Sequence, residues 1–453
     1  MENTNLLLPT ASEESKTENT QQSWVDRKCS YQGLLALFFF MNLLNYLERV
    51  VISGSSEKIL EFVRKSVPTH ENTFFGALTS VFICGFSIAS ILFGYYVTLF
   101  PPFRVVSFGL LCWFCASIAS GLAPNYWVLL VARMLSGVGE AAFQIVIPAY
   151  INEVSPKEKL GSSMALLYAA ISIGTAIGFM LSGWVSQYYS WRLLYLCVAP
   201  LMLPAIIILY FVSYEPSKKS EEKMLFVQAT WSLLKSPMFI CSFLAEAAGV
   251  YLCGAYLAFG NQLLLHLGFF TDEAVSSLVY GAICCLAGIV GSVVGGWTLN
   301  RMGVDESFSQ THCLYCYSKH FLICGIFCTV FFSFTVFSVR HHLVFFVAFF
   351  FGFTSLFASN PSWTLIVLNS AAPFVRPMAL GVATVFYHIF GDVPAPVIVG
   401  RFLDLCLHRA GSNPHKQWMS YLYTHWFILL SVIALLFMAL CIFGLVRKDY
   451  IKE

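Results

Sequence analysis

Twelve apolar runs follow one another along most of this chain of 453 residues. Each contains about 20 residues or more, the length that an α-helix needs to cross a hydrocarbon core of roughly 30 Å. The runs lie near residues 33–53, 73–99, 103–123, 126–151, 161–186, 191–212, 237–265, 272–299, 319–339, 342–370, 377–402 and 419–446. Charged residues make up 11% of the chain, whereas soluble domains carry roughly 25%. The sequence therefore predicts an all-α polytopic membrane protein and excludes a soluble globular one.

A polar segment divides the runs into two sets of six, as in transporters built from two related halves around a central cavity. We expect a disordered cytosolic tail at 1–30, a six-helix bundle at 31–213, a cytoplasmic linker at 214–236, a second six-helix bundle at 237–446 and a cytosolic end at 447–453. Lys and Arg are more frequent in the loops on the side of the two ends, which predicts that both termini are cytosolic. The net charge of +2 gives no reason to expect a nucleic acid partner.

The polar tail contains an acidic dileucine pattern, in which Glu2 is followed by Leu6 and Leu7. Patterns of this kind are read by adaptor proteins that direct membrane proteins to endosomes and lysosomes. An exposed position in a disordered tail suits such recognition. We therefore expect adaptor binding at these three residues, although a six-residue pattern also arises by chance.

The fourth run carries two charges, Arg133 and Glu140, seven residues apart. Seven residues are about two helical turns, so both side chains point to nearly the same face. A charge at membrane depth costs several kcal/mol by most estimates, and such residues usually face a bundle interior or a water-filled cavity. Gly137 and Gly139 lie between them and leave room for a neighbouring helix backbone. Glu140 is a candidate proton-coupling residue; alternatively, it is a buried carboxylate that tyrosine or asparagine side chains satisfy.

The first run ends in a second charged pair, Glu48 and Arg49. Adjacent residues project about 100° apart on a helix and need not pair with each other. Glu48 either forms a buried lock with Arg133 or exchanges a proton as the two halves move, and both can hold at once.

The eleventh run is interrupted by Gly391, Pro394 and Pro396. Broken helices are common beside transporter sites. His388 and Asp392 occupy positions i and i+4, on one face of the helix before this break. A histidine titrates near physiological pH and could sense an acidic lumen. The alternative is a hydrogen bond near a gate that involves no titration.

No motif of an enzyme active site occurs, whether Gly-x-Ser-x-Gly, His-Glu-x-x-His or a phosphate-binding glycine loop. Cys313 and Cys316 lie near His312 and His320, but a loop with incidental sulfurs explains them better than a zinc site. We expect no enzyme, no metal and no cofactor other than a proton gradient.

Several segments resemble the major facilitator superfamily and, within it, the spinster family of lipid transporters. The first run reads Asn-Leu-Leu-Asn-Tyr-Leu-Glu-Arg at 42–49, similar to the family's first-helix motif. Residues 132–151 are similar to its fourth-helix segment, and residues 376–404 to its eleventh. The sequence departs from the family where Thr98 replaces a gating aspartate after the second helix, and where Glu48 replaces an aspartate.

The resemblance implies a twelve-helix carrier that works by alternating access on a single-chain lipid with a charged headgroup. It also implies that Glu48 and Glu140 serve in proton coupling and that Arg49, Arg133 and His388 belong to a charge network lining the cavity. With the patterns described above, this gives a set of candidate residues. The candidates are Glu48, Glu140 and His388 for proton coupling, Arg133, Arg49, Asn45, Tyr46 and Asn360 for substrate binding, and Asp392, Arg104 and Arg301 for gating.

We therefore expect a proton-coupled transporter of a lysophospholipid or similar sphingolipid-like molecule, in the lysosomal or late endosomal membrane or alternatively the plasma membrane. Arg133 is expected to meet the headgroup, Glu140 to carry the proton, and phenylalanine-rich helix faces to hold the acyl chain. One alternative is a major facilitator carrier of a small polar solute such as a sugar or an organic anion. Another, from a different class, is a non-transporting receptor or chaperone on a carrier scaffold.

Overall fold

The computed structural model describes residues 31–155, 160–212, 226–302, 309–370 and 376–451. These residues form α-helices and connecting turns, and no strand occurs among them. The helices are α1 (Tyr31–Arg49), α2 (Val51–Gly54), α3 (Ser56–Ser66), α4 (Glu71–Leu99), α5 (Pro102–Gly121), α6 (Tyr126–Val154), α7 (Leu160–Tyr188), α8 (Arg192–Phe211), α9 (Phe226–Leu234), α10 (Pro237–His266), α11 (Glu273–Arg301), α12 (Gln310–Phe337), α13 (His342–Asn369), α14 (Arg376–Phe390), α15 (Pro394–Ala410) and α16 (Pro414–Tyr450).

Eleven helical segments in the described part of the chain are long and apolar enough to cross a membrane. The first predicted run is not among these eleven, and it is not one straight helix. It breaks directly after Arg49, because Val50 has φ −94° and ψ 0°, outside the helical region. The amphipathic helix α3 then buries Ile59 and Val63 and exposes its charged side chains. The all-α polytopic fold predicted from the sequence is confirmed.

The eleventh run is broken where its glycine and prolines predict. Helix α14 ends at Phe390, a turn covers 391–393, and α15 begins at Pro394. The tail at 1–30 lies outside the described residues, and α9 lies within the segment that the sequence predicts as a linker.

Helix α6 is held between α4 and α5 by its two glycines. A Cβ atom on Gly137 would overlap the carbonyl oxygen of Phe82 in α4, and one on Gly139 would lie 2.5 Å from the backbone nitrogen of Trp113 in α5. The close approach expected from these glycines is confirmed. It brings Arg133 and Glu140 to the interior of the amino-terminal half.

The two halves, α1–α8 and α10–α16, meet through α4 against α15 and α7 against α11. One end of this interface carries a dense set of hydrogen bonds. Asp404 of α15 accepts hydrogen bonds from the backbone amides of Asn72 (3.1 Å) and Thr73 (2.8 Å) and from the Asn72 side chain (2.9 Å). A carboxylate from one half thus caps the first turn of a helix in the other half, where backbone amides lack intrahelical partners.

Further contacts join the halves at the same end. Glu273 accepts from the Ser56 hydroxyl (2.9 Å) and the Glu57 amide (3.0 Å), and the Glu57 carboxylate lies 3.1 Å from Nε2 of His266. This hydrogen bond holds the pKa of Glu57 below its usual value. We call the end with Asp404 and Glu273 the distal end, since it lies opposite the end with Tyr31 and Tyr450. The halves are closed at the distal end.

Gly137→Ala is expected to destabilise the protein, because its methyl group must displace the α4 backbone. Overpacking of this kind costs about 1–3 kcal/mol. Gly94→Ala is the matched control: a Cβ atom there meets nothing within 4 Å, and alanine favours the helix by up to about 1 kcal/mol. Thermal unfolding of the purified variants in detergent measures both effects. Equal unfolding temperatures for the two variants would show that the glycine does not set the distance between α4 and α6.

Candidate functional site

The four charges of α1 and α6 form two crossed pairs. Arg133 Nη1 lies 3.7 Å from Glu48 Oε1, and Arg49 Nη2 lies 3.8 Å from Glu140 Oε1. Each helix therefore supplies one acid and one base, and each acid faces the base of the other helix. The Glu48–Arg133 pair is one of the two alternatives that the sequence leaves open, and the neighbours Glu48 and Arg49 do not pair with each other.

Both pairs are longer than a direct hydrogen bond of about 2.7–3.2 Å. The Glu48 carboxylate has a second partner, because Oε2 accepts a hydrogen bond of 2.6 Å from the Ser117 hydroxyl of α5. Glu140 has none: both of its oxygens are buried without a hydrogen bond among the described residues. Glu140 is thus the less well satisfied of the two paired carboxylates.

A single ring, Phe82 of α4, lies against both guanidinium groups. The Arg133 guanidinium carbon is 4.5 Å from its centroid, and that of Arg49 is 4.8 Å away. Cations are attracted to aromatic faces within about 6 Å. The carbonyl oxygen of Phe82 also faces Gly137, so the glycine that brings α4 close also positions the ring between the two arginines.

The two pairs differ in accessibility. The side chains of Arg133 and Glu48 are 1% and 2% exposed, whereas Arg49 is 16% exposed. Tyr46, one turn earlier on α1, is also partly exposed, and its ring centroid is 5.1 Å from the Arg49 guanidinium. Asn45 is buried, and its Nδ2 has no hydrogen-bond partner among the described residues. Of the predicted substrate-binding residues on α1 and α6, Arg49 and Tyr46 are the accessible ones.

The carboxy-terminal half faces this group with its broken helix. His388 Nδ1 lies 2.8 Å from Asp392 Oδ1, which confirms the contact expected from their spacing. The His388 ring also meets Phe86 of the amino-terminal half edge-on at 5.9 Å. Asp392 lies within electrostatic range of Arg49. The charges predicted to line the cavity from both halves are therefore brought together.

Other predicted residues lie away from this group. Arg104 is exposed, 6.0 Å from the Tyr210 ring, and lines an outer groove of about 390 Å³. Arg301 is exposed above the Trp297 ring at 4.8 Å. Neither arginine forms an ion pair with any residue that the structure describes, and their gating roles stay predictions.

Asn360 is exposed. Phe351 is also exposed, and it lies nine residues before Asn360. Nine residues correspond to two and a half helical turns, so the two side chains lie on opposite faces of α13. Glu2, Leu6 and Leu7 lie outside the described residues, as does the side chain of Thr98.

Sequence reasoning missed one acid. Glu246 lies in the apolar helix α10, is partly exposed, and has no hydrogen bond or ion pair with the residues that the structure describes. It lies within electrostatic range of Tyr387 of α14. The signal was available: a lone carboxylate inside an apolar run is the same feature that singles out Glu140.

Comparisons with known proteins identify the family and the fold. A family model of the Major Facilitator Superfamily matches residues 35–394. The probable sphingolipid transporter spinster homolog 3 of Arabidopsis thaliana is 26% identical, with 82% of this chain and 79% of the relative covered. The sphingosine-1-phosphate transporter SPNS2 of Danio rerio is 26% identical, with 84% of this chain and 78% of the relative covered.

Among solved structures, a bacterial homolog of the human lysosomal transporter spinster, in an inward-facing and unoccupied conformation, has the same fold. Its TM-score is 0.71 at 15% identity, and the match covers 92% of this chain and 97% of the other. The resemblance that the sequence motifs indicate is confirmed.

Glu48→Gln is expected to destabilise the protein, because it leaves the buried guanidinium of Arg133 without a counter-charge. Breaking a buried pair by removing one partner costs about 3–5 kcal/mol. Glu61→Gln is the control, since Glu61 is 54% exposed and pairs only with surface lysines, an arrangement that contributes little. Chemical unfolding in detergent compares the two variants. If Glu48→Gln unfolds at the same denaturant concentration as Glu61→Gln, the buried Glu48–Arg133 pair does not stabilise the protein.

Proposed function

This chain belongs to the major facilitator superfamily, and we propose that it is a proton-coupled carrier of a single-chain lipid with an anionic headgroup. The proposal rests on the difference in burial and hydrogen bonding between the two ion pairs. The Glu48–Arg133 pair is almost fully buried. The other pair joins the partly exposed Arg49 to Glu140, whose oxygens accept no hydrogen bond from the described residues.

We assign the headgroup to Arg49. Its planar fork of donors suits a phosphate, and it is partly exposed. The sequence alone favours Arg133 for this role, but Arg133 has almost no accessible surface in this conformation and is engaged by Glu48. Arg133 and Glu48 serve in this proposal as the fixed pair that holds α1 against α6.

A lipid rather than a polar solute is favoured by the names of the relatives, and an aromatic surface lies on the face of α14 opposite to His388. The rings of Phe243, Phe386 and Phe390 lie next to one another, with centroids 5.2 Å and 6.3 Å apart along the series. Phe390 is 54% exposed. Such a surface offers an acyl chain apolar contact on the side of α14 away from the charged group.

The proton is assigned to Glu140. When Glu140 is ionised it holds Arg49 within the amino-terminal half. A proton on Glu140 removes that counter-charge, so that Arg49 is drawn to the lipid phosphate or, in its absence, to Asp392 of the other half. Arg49 then has two alternative partners on different halves. Two states that protonation biases are what a coupled carrier requires.

The compartment and the topology are also part of the proposal. The tail residues Glu2, Leu6 and Leu7 favour a lysosomal or late endosomal membrane, and the Lys and Arg distribution favours cytosolic termini. An acidic lumen would then supply the proton.

Lipid uptake into proteoliposomes tests the proposal. Labelled lysophosphatidylcholine and sphingosine-1-phosphate are expected to be transported, and a labelled hexose and a carboxylate are not. For one proton per lipid, two pH units support up to about hundredfold accumulation, since each unit corresponds to about 1.4 kcal/mol. Glu140→Gln is expected to abolish this accumulation and to leave uptake independent of pH, whereas the exposed Glu61→Gln leaves it unchanged.

Transport of the hexose or the carboxylate alone would favour the polar-solute carrier instead. No transport of any of them, by a protein that still unfolds cooperatively, would favour a receptor or chaperone. Pronounced pH dependence in Glu140→Gln would refute the assignment of the proton.

A further inference from the structure

We propose that the outer groove beside Arg104 is a binding site for a bilayer phospholipid with a net negative headgroup. This site is separate from the transport cavity, and its lipid is a resident ligand of the protein, not the transported molecule. The inference therefore goes beyond the proposed function. Only the choice of leaflet draws on the expected cytosolic position of this end of the protein.

The groove lies at the membrane boundary opposite the distal end. Helix α4 starts at the distal end, where Asn72 contacts Asp404, and it contains 29 residues. At 1.5 Å per residue it is about 43 Å long, enough to cross a bilayer including both headgroup regions. The turn from Leu99 to Pro102, which joins α4 to α5, therefore lies at headgroup level.

The walls and the floor of the groove are apolar. Helices α4 and α5 both pack on α6, and the groove lies between them on the outer surface. Phe93 of α4 and Val105 of α5 form its floor, buried in one cluster with two alanines of α6. The exposed rings of Tyr96, Phe100 and Phe108 form its walls. With a volume of about 390 Å³, such a groove suits an acyl chain, since ligand sites are lined mainly by apolar side chains.

Arg104 places a positive charge in this groove. Its side chain is exposed, and the guanidinium carbon lies 6.0 Å from the ring centroid of Tyr210 in α8. It forms no ion pair with an acid in the part of the chain that the structure describes. The planar fork of donors of an arginine suits a phosphate or a carboxylate. An anionic headgroup would supply the counter-charge while its acyl chain fills the groove.

The first turn of α5 adds to this positive charge. Its N-cap residue, Pro101, makes no side-chain hydrogen bond to the helix and lines the same groove. The N-terminal end of a helix carries the equivalent of about half a positive elementary charge and favours anions nearby. Arg104 lies three residues further along, so the side chain and the helix end favour a negative group at one place.

The charges favour a net negative lipid over a zwitterionic one. The lining contains Arg104 and no acid, so a headgroup ammonium has no carboxylate to meet there and is repelled by the guanidinium. Basic pockets between helices on the cytoplasmic side are typical sites for anionic headgroups, because that leaflet carries the anionic lipids. The expected cytosolic position of this end agrees with such a ligand.

The floor of the groove separates the site from the transport cavity. Ala141 and Ala142 of α6 pack against the floor, whereas the adjacent Glu140 faces Arg49 of α1 in the interior. A lipid in the groove thus leaves the cavity charges free for the substrate.

Native mass spectrometry of the detergent-purified protein tests the inference. It gives Kd values for two lipids with identical palmitoyl and oleoyl chains, phosphatidylserine and phosphatidylcholine. The wild-type protein is expected to bind phosphatidylserine roughly fivefold or more tightly, the contribution of about one basic residue at a membrane surface. Arg104→Gln should remove this preference. Arg104→Lys should keep part of it, since the charge remains and the fork of donors is lost.

Arg301→Gln is the matched control. Arg301 is also exposed, ends α11 at the same end of the protein and lies against an aromatic ring, that of Trp297, at 4.8 Å. It does not line the groove, so its variant should keep the full preference. Phe108→Ser removes one wall and should weaken both lipids alike, which separates the acyl-chain contact from the headgroup contact.

Four outcomes overturn the inference. Equal Kd values for the two lipids in the wild-type protein would refute the anionic site. The same loss of preference in Arg301→Gln as in Arg104→Gln would make the effect one of overall charge. Displacement of phosphatidylserine by sphingosine-1-phosphate would make the groove part of the substrate path. A dimer in the wild-type spectra that Phe108→Ser dissociates would make a second copy of the chain the occupant.

Failure of this inference is distinguishable from failure of the proposed function. Lipid uptake into proteoliposomes measures the second, and lipid binding in detergent measures the first. A phosphatidylserine preference that depends on Arg104 supports the site even in a protein that transports none of the labelled lipids.

Discussion

The crossed pairing of Glu48 and Arg49 with Arg133 and Glu140 is the constraint on which the amino-terminal half depends. Four charges inside a membrane protein need partners, because desolvation costs several kcal/mol for each ion. Crossing the pairs fixes α1 against α6 at two points. The end of α1 directly after Arg49 and the packing of α4 on α6 both serve this arrangement, since they place the charged residues opposite one another and Phe82 between the arginines.

The two ion pairs differ in burial and in hydrogen bonding, and this difference suits a site where one pair stays fixed and the other exchanges partners. The Glu48–Arg133 pair is enclosed and supported by the Ser117 hydroxyl. The Arg49–Glu140 pair is partly accessible, and the Glu140 oxygens accept no hydrogen bond from the part of the chain that the structure describes. At the distal end, Asp404 caps a helix of the opposite half, so separation of the halves there costs several hydrogen bonds. In our account, Arg49 exchanges its partner Glu140 for Asp392 of the other half. This new interaction compensates for the hydrogen bonds that are lost when the halves separate at the distal end.

The sequence predicted most of the fold and part of the site. Membrane-length apolar runs fix the helices almost alone, and Gly137 between two charges indicates a buried, closely packed face. The pairing of Glu48 with Arg133 was one of two alternatives, and their distance in the folded chain identifies it. Phe82 could not be found, because one phenylalanine among 43 is distinguished only by what packs against it. Glu246 could have been found, since it satisfies the criterion that identified Glu140.

The most direct test of the central claim is the distance across the distal end as a function of pH. Spin labels introduced as noncanonical residues at the exposed positions Thr69 and Ser412 avoid the 15 native cysteines and report on the contact between α4 and α15. The account predicts a short distance at pH 7.5, a longer one at pH 5, and a long one at both pH values in Glu140→Gln. A distance distribution that does not change with pH in the wild-type protein would contradict it.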